Sequence, residues 1–347
     1  MNALILTIFA IVVILSFLED YIQSWQKMLA LLTIGIALVC IAAFKPMSTT
    51  DATTYEYYYL CNDDIIVELA TEPTYIYLSR FLMTFGCEVV VLFFIYAVMT
   101  IPLKLYALNK LTPYIFTAMI VYVGIYYPLQ DVVQIRCGAA TAFLLLSLIS
   151  LAKRNYFSAF SLTIAATLFH YSSLAFLPIL FIGNIPIGKY WKILLGASIP
   201  FCLACYAVGI GAVSLIPSSL IEGKMDLYKE MSDTGGWAEY VPYKQLTFLV
   251  EFVVLYLFIF YYETIHKHCI YAPILIKILV LEMVCLTMLS EIPVLGGRLH
   301  DLFGIFNALS ITCCLYCVKP KFVARIGIAV FALGYYLIQM FDEMYFK

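Results

Sequence analysis

The chain has 347 residues, 64% of them hydrophobic and 12% charged, and a formal net charge of −2. A soluble domain is nearer half apolar and a quarter charged, so this composition excludes an ordinary water-soluble globule. A near-neutral balance lacks the basic excess that holds nucleic acid, so no nucleic-acid partner is expected.

Apolar runs cover 2–18, 28–44, 88–103, 113–129, 132–151, 156–169, 171–183, 193–210, 245–262, 269–289, 299–318 and 322–341. Runs near 18 residues read as helices crossing a bilayer. The predicted fold is therefore all-α: a single polytopic integral membrane domain over 1–347 with about 12 helical segments. The first run, MNALILTIFAIVVILSFL, lacks a basic leader region and a small-residue cleavage site, and reads as a retained membrane helix.

Short basic connections carry the orientation signal. Lys27, Lys104 with Lys110, Lys153 with Arg154, Lys189 with Lys192, Lys267, and Lys319 with Lys321 and Arg325 fall at alternate ends of the runs. Those ends are expected in the cytoplasm, which leaves two larger connections, 45–87 and 211–244, on the outer side. Within the first, the apolar stretch 74–87 opens at Glu72-Pro73 and is too short to cross. It reads as a re-entrant or interfacial helix. Most of the 11 cysteines lie inside apolar runs, where they act as small hydrophobes. No Cys or His spacing suggests zinc, so no metal and no cofactor are expected.

Residues 156–183 have basic flanks on both sides, which a single crossing helix would not satisfy. Two arms with a break near His170-Tyr171-Ser172-Ser173 would. Each arm is about 20 Å long at 1.5 Å per residue, short for a bilayer core about 30 Å thick. Non-helical backbone at that depth must be buried in protein or line a wet cavity. His170 is therefore expected at a break facing an outward-open cavity; the plainer reading is a packed core histidine.

Charged residues at such depths are costly unless paired, hydrated or functional. Arg136 falls in the outer part of one crossing run, Arg298 opens another from the same side, and Arg80 lies in the short 74–87 stretch. Each also has the plainer reading of an arginine snorkelling to headgroups. Lys277, Glu282 and Glu251 read as bundle-stabilising groups. The first outer connection combines Asp51, Asp63, Asp64, Glu68 and Glu72 with Tyr55, Tyr57, Tyr58 and Tyr59. Carboxylates accept from sugar hydroxyls and aromatic faces stack on sugar rings, so Tyr55, Tyr58, Asp63 and Asp64 are candidate sugar contacts. The alternative is an interfacial aromatic belt.

Four stretches in order resemble the EpsG/Wzy family of bacterial polysaccharide polymerases. They are DATTYEYYY, EPTYIYLSRFL, the arginine helix with basic turn and Phe-His-x-Ser segment from QIRCGAATAF to LFHYSSLAFLP, and GGRLHDLFGIF. The third is the most specific, and Thr74 stands where the family has glycine. Together they span most of residues 45–310. The resemblance implies a membrane glycosyltransferase of the C-like fold in the bacterial inner (cytoplasmic) membrane, with its site facing the periplasm. Its substrates would be undecaprenyl-diphosphate-linked oligosaccharides, donor and acceptor, joined into O-antigen or related surface polysaccharide by metal-independent, inverting transfer. A chain-length regulator protein is a further implied partner. On this reading Arg136, Arg298 and Arg80 bind diphosphate, because guanidinium forks match phosphate oxygens. His170 is the first choice of general base, with Glu72 and Asp51 as alternatives. O-antigen ligase, a transporter or flippase of the lipid-linked unit, and a membrane O-acyltransferase are the competing readings.

Overall fold

The computed structural model describes residues 1–212 and 246–341, and every regular element among them is helical. The expected outer connection 211–244 falls almost wholly outside the described residues. Among the described residues, six helices are long and apolar enough to cross a membrane, or up to eight if two bent helix pairs each count as one span. This makes the chain a membrane-embedded helical protein, with fewer full-length spans than the expected segments. The difference has a simple cause: several apolar runs form shorter helices, among them Asn2–Leu18, Tyr156–Phe169 and Tyr171–Ile182.

The chain divides into two compact units, Met1–Phe181 with Val318–Lys347, and Ile182–Cys317. The first contains α1 (Asn2–Leu18), α2 (Ser24–Ala43), three short helices α3 (Ala52–Leu60), α4 (Ile65–Ala70) and α5 (Pro73–Thr84), and α6 (Val89–Leu111). Next come α7 (Ile115–Val121), continued by a π-helical stretch Tyr122–Val133, α8 (Ile135–Ala152) and α9 (Tyr156–Phe169). A 3-10 turn Tyr171–Phe176 and α10 (Leu177–Ile182) follow. Local chemistry sets several starts. Gln26 reaches back to the Gln23 amide at the head of α2. Asp64 accepts from the Ile66 amide to cap α4, and Asn155 accepts from the Ser158 amide to cap α9. Pro73 occupies the first turn of α5, where its missing N–H costs nothing.

The span Ile115–Val133 is completely enclosed. Its π-helical half contains Pro128, which cannot donate to the preceding turn and crowds it; the wider turn relieves that crowding. Asp131 on this stretch lies 2.9 Å from the Lys104 ammonium, with both side chains fully buried. Tyr122 and Thr100 also donate to Asp131, and Lys104 donates to Gln130. Lys104 is therefore not a charge on a connection. It sits inside α6, and the orientation signal at that end rests on Lys110. Helix α8 packs closely on the stretch because Gly138 has no side chain; a Cβ there would lie 2.4 Å from the Gln130 carbonyl oxygen.

Helices α8 and α9 form an antiparallel hairpin closed at Lys153–Asn155, where Arg154 takes a left-handed φ of 59°. Ser147 donates to the Ala159 carbonyl and lies 3.1 Å from the Thr163 hydroxyl, and Ser150 and Ser158 pair at 3.1 Å. Small and hydroxylated residues let helix backbones approach in this way. The hairpin returns the chain, so the start of α8 and the end of α9 lie at one end. The last helix of this unit is α17 (Lys321–Phe341).

The second unit holds α11 (Lys189–Ala207), α12 (Leu246–Phe260), α13 (Tyr262–His268), α14 (Ala272–Met288), α15 (Pro293–Gly304) and α16 (Asn307–Thr312). Buried Lys277 of α14 donates to the carbonyls of Gly183 and Ile185. It therefore secures a helix-end connection and does not pair with Glu282.

Candidate active site

The break expected near His170 is present. Helix α9 ends at Phe169, and His170 is extended, with φ −156° and ψ 115°, before the 3-10 turn begins. Arg136 stands in the first turn of α8, so the hairpin brings these residues to the same end. Glu72 enters from outside the hairpin. It is the residue before Pro73, which holds it extended (ψ 152°) at the head of α5. The Thr74 hydroxyl donates to the Leu168 carbonyl at 2.7 Å, fixing the first turn of α5 against the end of α9. The residue that departs from the expected glycine thus acquires a specific bond.

One carboxylate joins the other two groups. Glu72 Oε2 accepts from Nη1 of Arg136, and Glu72 Oε1 lies 2.7 Å from Nδ1 of His170. Glu72 is 5% exposed, whereas Arg136 and His170 are half-buried. Burial alone would raise the Glu72 carboxyl, but the bond from His170 and the Arg136 charge hold it below its ordinary value. Glu72 is outside the candidate spans and is ionised at neutral pH. Facing a carboxylate, Nδ1 of His170 is the ring nitrogen placed to donate, and in the neutral imidazole the lone pair then falls to Nε2.

Aromatic groups surround the guanidinium. Arg136 lies 5.4 Å from the Tyr55 ring centroid and 5.8 Å from that of Tyr75. Tyr75 donates to the Tyr55 carbonyl at 2.6 Å. The stretch read from sequence as an open connection is in fact helix α3, and its i, i+4 pair Tyr55 and Tyr59 faces inward. Tyr58 is half-buried beside the same apolar cluster, and Phe169, next to His170, stacks on Phe143 at 5.3 Å.

The remaining candidates divide by place. Asp51 precedes α3 in a left-handed conformation (φ 66°). Arg80 donates to the Asn62 carbonyl and to Glu68 at 2.9 Å each, and lies 3.5 Å from Asp63. Asp64 is engaged in capping α4. Among the described residues no hydrogen bond or ion pair joins Arg80, Asp63 or Asp64 to Glu72, Arg136 or His170. Arg298 is exposed on α15 in the second unit.

Sequence reasoning passed over Lys45. It lies just past α2, 5% exposed, donates to the Val132 carbonyl at 2.6 Å, and stands 4.2 Å from the Phe93 ring and 5.4 Å from the Tyr55 ring. Burial pushes its ammonium down to about 7, with Asp51 acting in the opposite direction. Its position at a helix end made it look like an ordinary flanking charge; only the rings folded over it reveal otherwise.

A carboxylate orienting an imidazole beside an aromatic-flanked arginine can accept a proton and bind an anion. No curated protein and no solved structure matches the chain. The profile of the EpsG family matches residues 28–346, nearly the whole length and all of the groups just described. The chain belongs to the EpsG family.

Proposed function

We propose that this protein is a polysaccharide repeat-unit polymerase, a glycosyltransferase acting at the periplasmic face of the bacterial inner membrane. Donor and acceptor are oligosaccharides on undecaprenyl diphosphate. The observation that carries this reading is the Arg136–Glu72–His170 chain of contacts, assembled from three separate segments. Nε2 of His170 takes the proton of the acceptor hydroxyl as its oxygen bonds to the donor's anomeric carbon. The bond from that carbon to the diphosphate oxygen breaks, and the leaving group departs with the electron pair. A guanidinium has five N–H donors and Glu72 engages Nη1, so further donors remain for diphosphate oxygens. This single displacement inverts the anomeric centre and makes no covalent enzyme intermediate. Glu72 is a positioning residue, holding the His170 tautomer as the carboxylate of a catalytic triad does. Half-buried Tyr58, beside the aromatic cluster, supplies aromatic surface for a sugar ring, and Asp51 is a hydroxyl acceptor.

A strain lacking the gene, complemented with wild type or Arg136→Lys, tests this. Wild type restores long surface polysaccharide. Arg136→Lys keeps the charge but loses the fork, and is expected to leave single repeat units while inserting normally. Long chains left unattached to core would indicate a ligase. Lipid-linked units trapped on the cytoplasmic side would indicate a flippase. Either result rejects the polymerase reading.

A further inference from the structure

The second unit holds a buried polar cluster that the proposed transfer does not use. Glu251 comes from α12, Glu282 from α14, His300 from α15 and Asn307 from α16. All four side chains are buried. His300 Nε2 lies 3.1 Å and 3.2 Å from the two Glu251 oxygens and 3.5 Å from Glu282 Oε1. The Asn307 amide donates to Glu251 at 2.9 Å and to both Glu282 oxygens at 3.1 Å. The Asp301 carboxylate faces the other ring nitrogen of His300 at 4.0 Å.

Two features make this arrangement unusual. The first is charge. Two carboxylates here face at most one positive ring, and among the described residues no lysine or arginine pairs with Glu251 or Glu282. A buried excess negative charge is costly unless a cation or a proton offsets it. The second is spacing. One ligand atom from each of Glu251, Glu282 and His300 lies within 4.8 Å of the others. Two ligands bound at about 2.1 Å in a tetrahedral arrangement stand roughly 3.4 Å apart, which matches the imidazole–carboxylate separations.

We propose that Glu251, Glu282 and His300 form a binding site for one first-row divalent cation, with Mn²⁺ as the probe. Two carboxylates and one imidazole suit a cation between hard and borderline, such as Mn²⁺ or Zn²⁺. The cation joins α12, α14 and α15, and with His300 neutral it balances both carboxylates. Asn307 adds a fourth donor by turning its amide over, which exchanges nitrogen for oxygen with almost no change of shape. Asp301 stands where it can orient the ring from the outer shell. The site ties the second unit together and takes no part in the transfer step.

The test uses the full chain purified in detergent. Metal is removed with a chelator, and thermal unfolding is followed with and without added Mn²⁺. Mn²⁺ is preferred because the chain's 11 cysteines compete for Zn²⁺. The expected result is that stripping lowers the melting temperature and Mn²⁺ restores it in a concentration-dependent way, as a ligand of the folded state must. Mg²⁺, which is reluctant to lose its waters, should do so poorly. Glu282→Gln, of nearly the same shape, should abolish the Mn²⁺ response. A wild type whose melting temperature ignores both chelator and Mn²⁺ overturns the proposal and leaves a proton shared between the carboxylates. An equal Mn²⁺ response in Glu282→Gln also overturns it. Should Glu282→Gln fail to fold, the wild-type strip-and-reload result decides by itself.

Discussion

His170 carries the heaviest expectation of any single residue. Its Nδ1 is committed to Glu72, so replacement by Ala removes both a proton acceptor and the partner of a buried carboxylate. Activity should fall by about 10²–10⁴, the usual contribution of a general base. His170→Gln retains a hydrogen-bonding amide but cannot take the proton at neutral pH, and should be nearly as damaged. Polymer length and the rate of lengthening of lipid-linked glycan measure both. Full activity in the Gln variant alone would reduce His170 to a positioning role and make Asp51 or Lys45 the preferred base. The sign of the Glu72 effect on stability is also determined. Its pKa is lowered from 4.5, so its contribution is fully present above that value and is lost as the pH falls through the lowered one.

At the scale of elements, the fully buried Lys104–Asp131 pair joins α6 to the π-helical stretch. Removing one partner of such a pair strands the other charge and typically costs about 3–5 kcal/mol. Lys104→Met should therefore lower the melting temperature of the purified protein sharply, whereas Lys104→Met with Asp131→Leu should recover most of the loss. A Lys104→Met protein as stable as wild type would mean that Asp131 is protonated and the pair is not ionic. The same helices explain how the candidate site is held. The α8–α9 hairpin sets two of its groups at one end, and the Thr74–Leu168 bond brings α5, and with it Glu72, to meet them.

At the scale of the whole molecule, the basic turns set an expected sidedness. The basic turn at Lys153–Arg154 is expected in the cytoplasm, and helices α3 to α5 on the outer side. Single cysteines at Ile66 and Arg154, both exposed, in a cysteine-free background report this directly. An impermeant thiol reagent should label the Ile66 position in intact spheroplasts and the Arg154 position only after permeabilisation. The reverse pattern would place the Glu72 cluster on the cytoplasmic side and remove the basis for a periplasmic polymerase.

Composition and periodicity by themselves determined the class of protein, the places of most helices and the break at His170. They could do so because a bilayer demands long apolar helices, and because the polar His170-Tyr171-Ser172-Ser173 stretch interrupts an apolar run flanked by basic turns on both sides. The short helix after Pro73 was legible for a similarly local reason, the fixed geometry of proline. Tertiary structure alone decided which charges meet. Glu72, Arg136 and His170 are separated by 64 and 34 positions, and no periodicity links them; they converge because a hairpin closes and a threonine binds it to α5. The same holds for Lys104, whose position near a helix end concealed a buried partner on another helix. No shared spacing links Glu251, Glu282, His300 and Asn307, because each comes from a different helix, although His300 falls within the GGRLHDLFGIF stretch. Local patterns encode which segments become helices, whereas pairings across the bundle depend on how the helices pack.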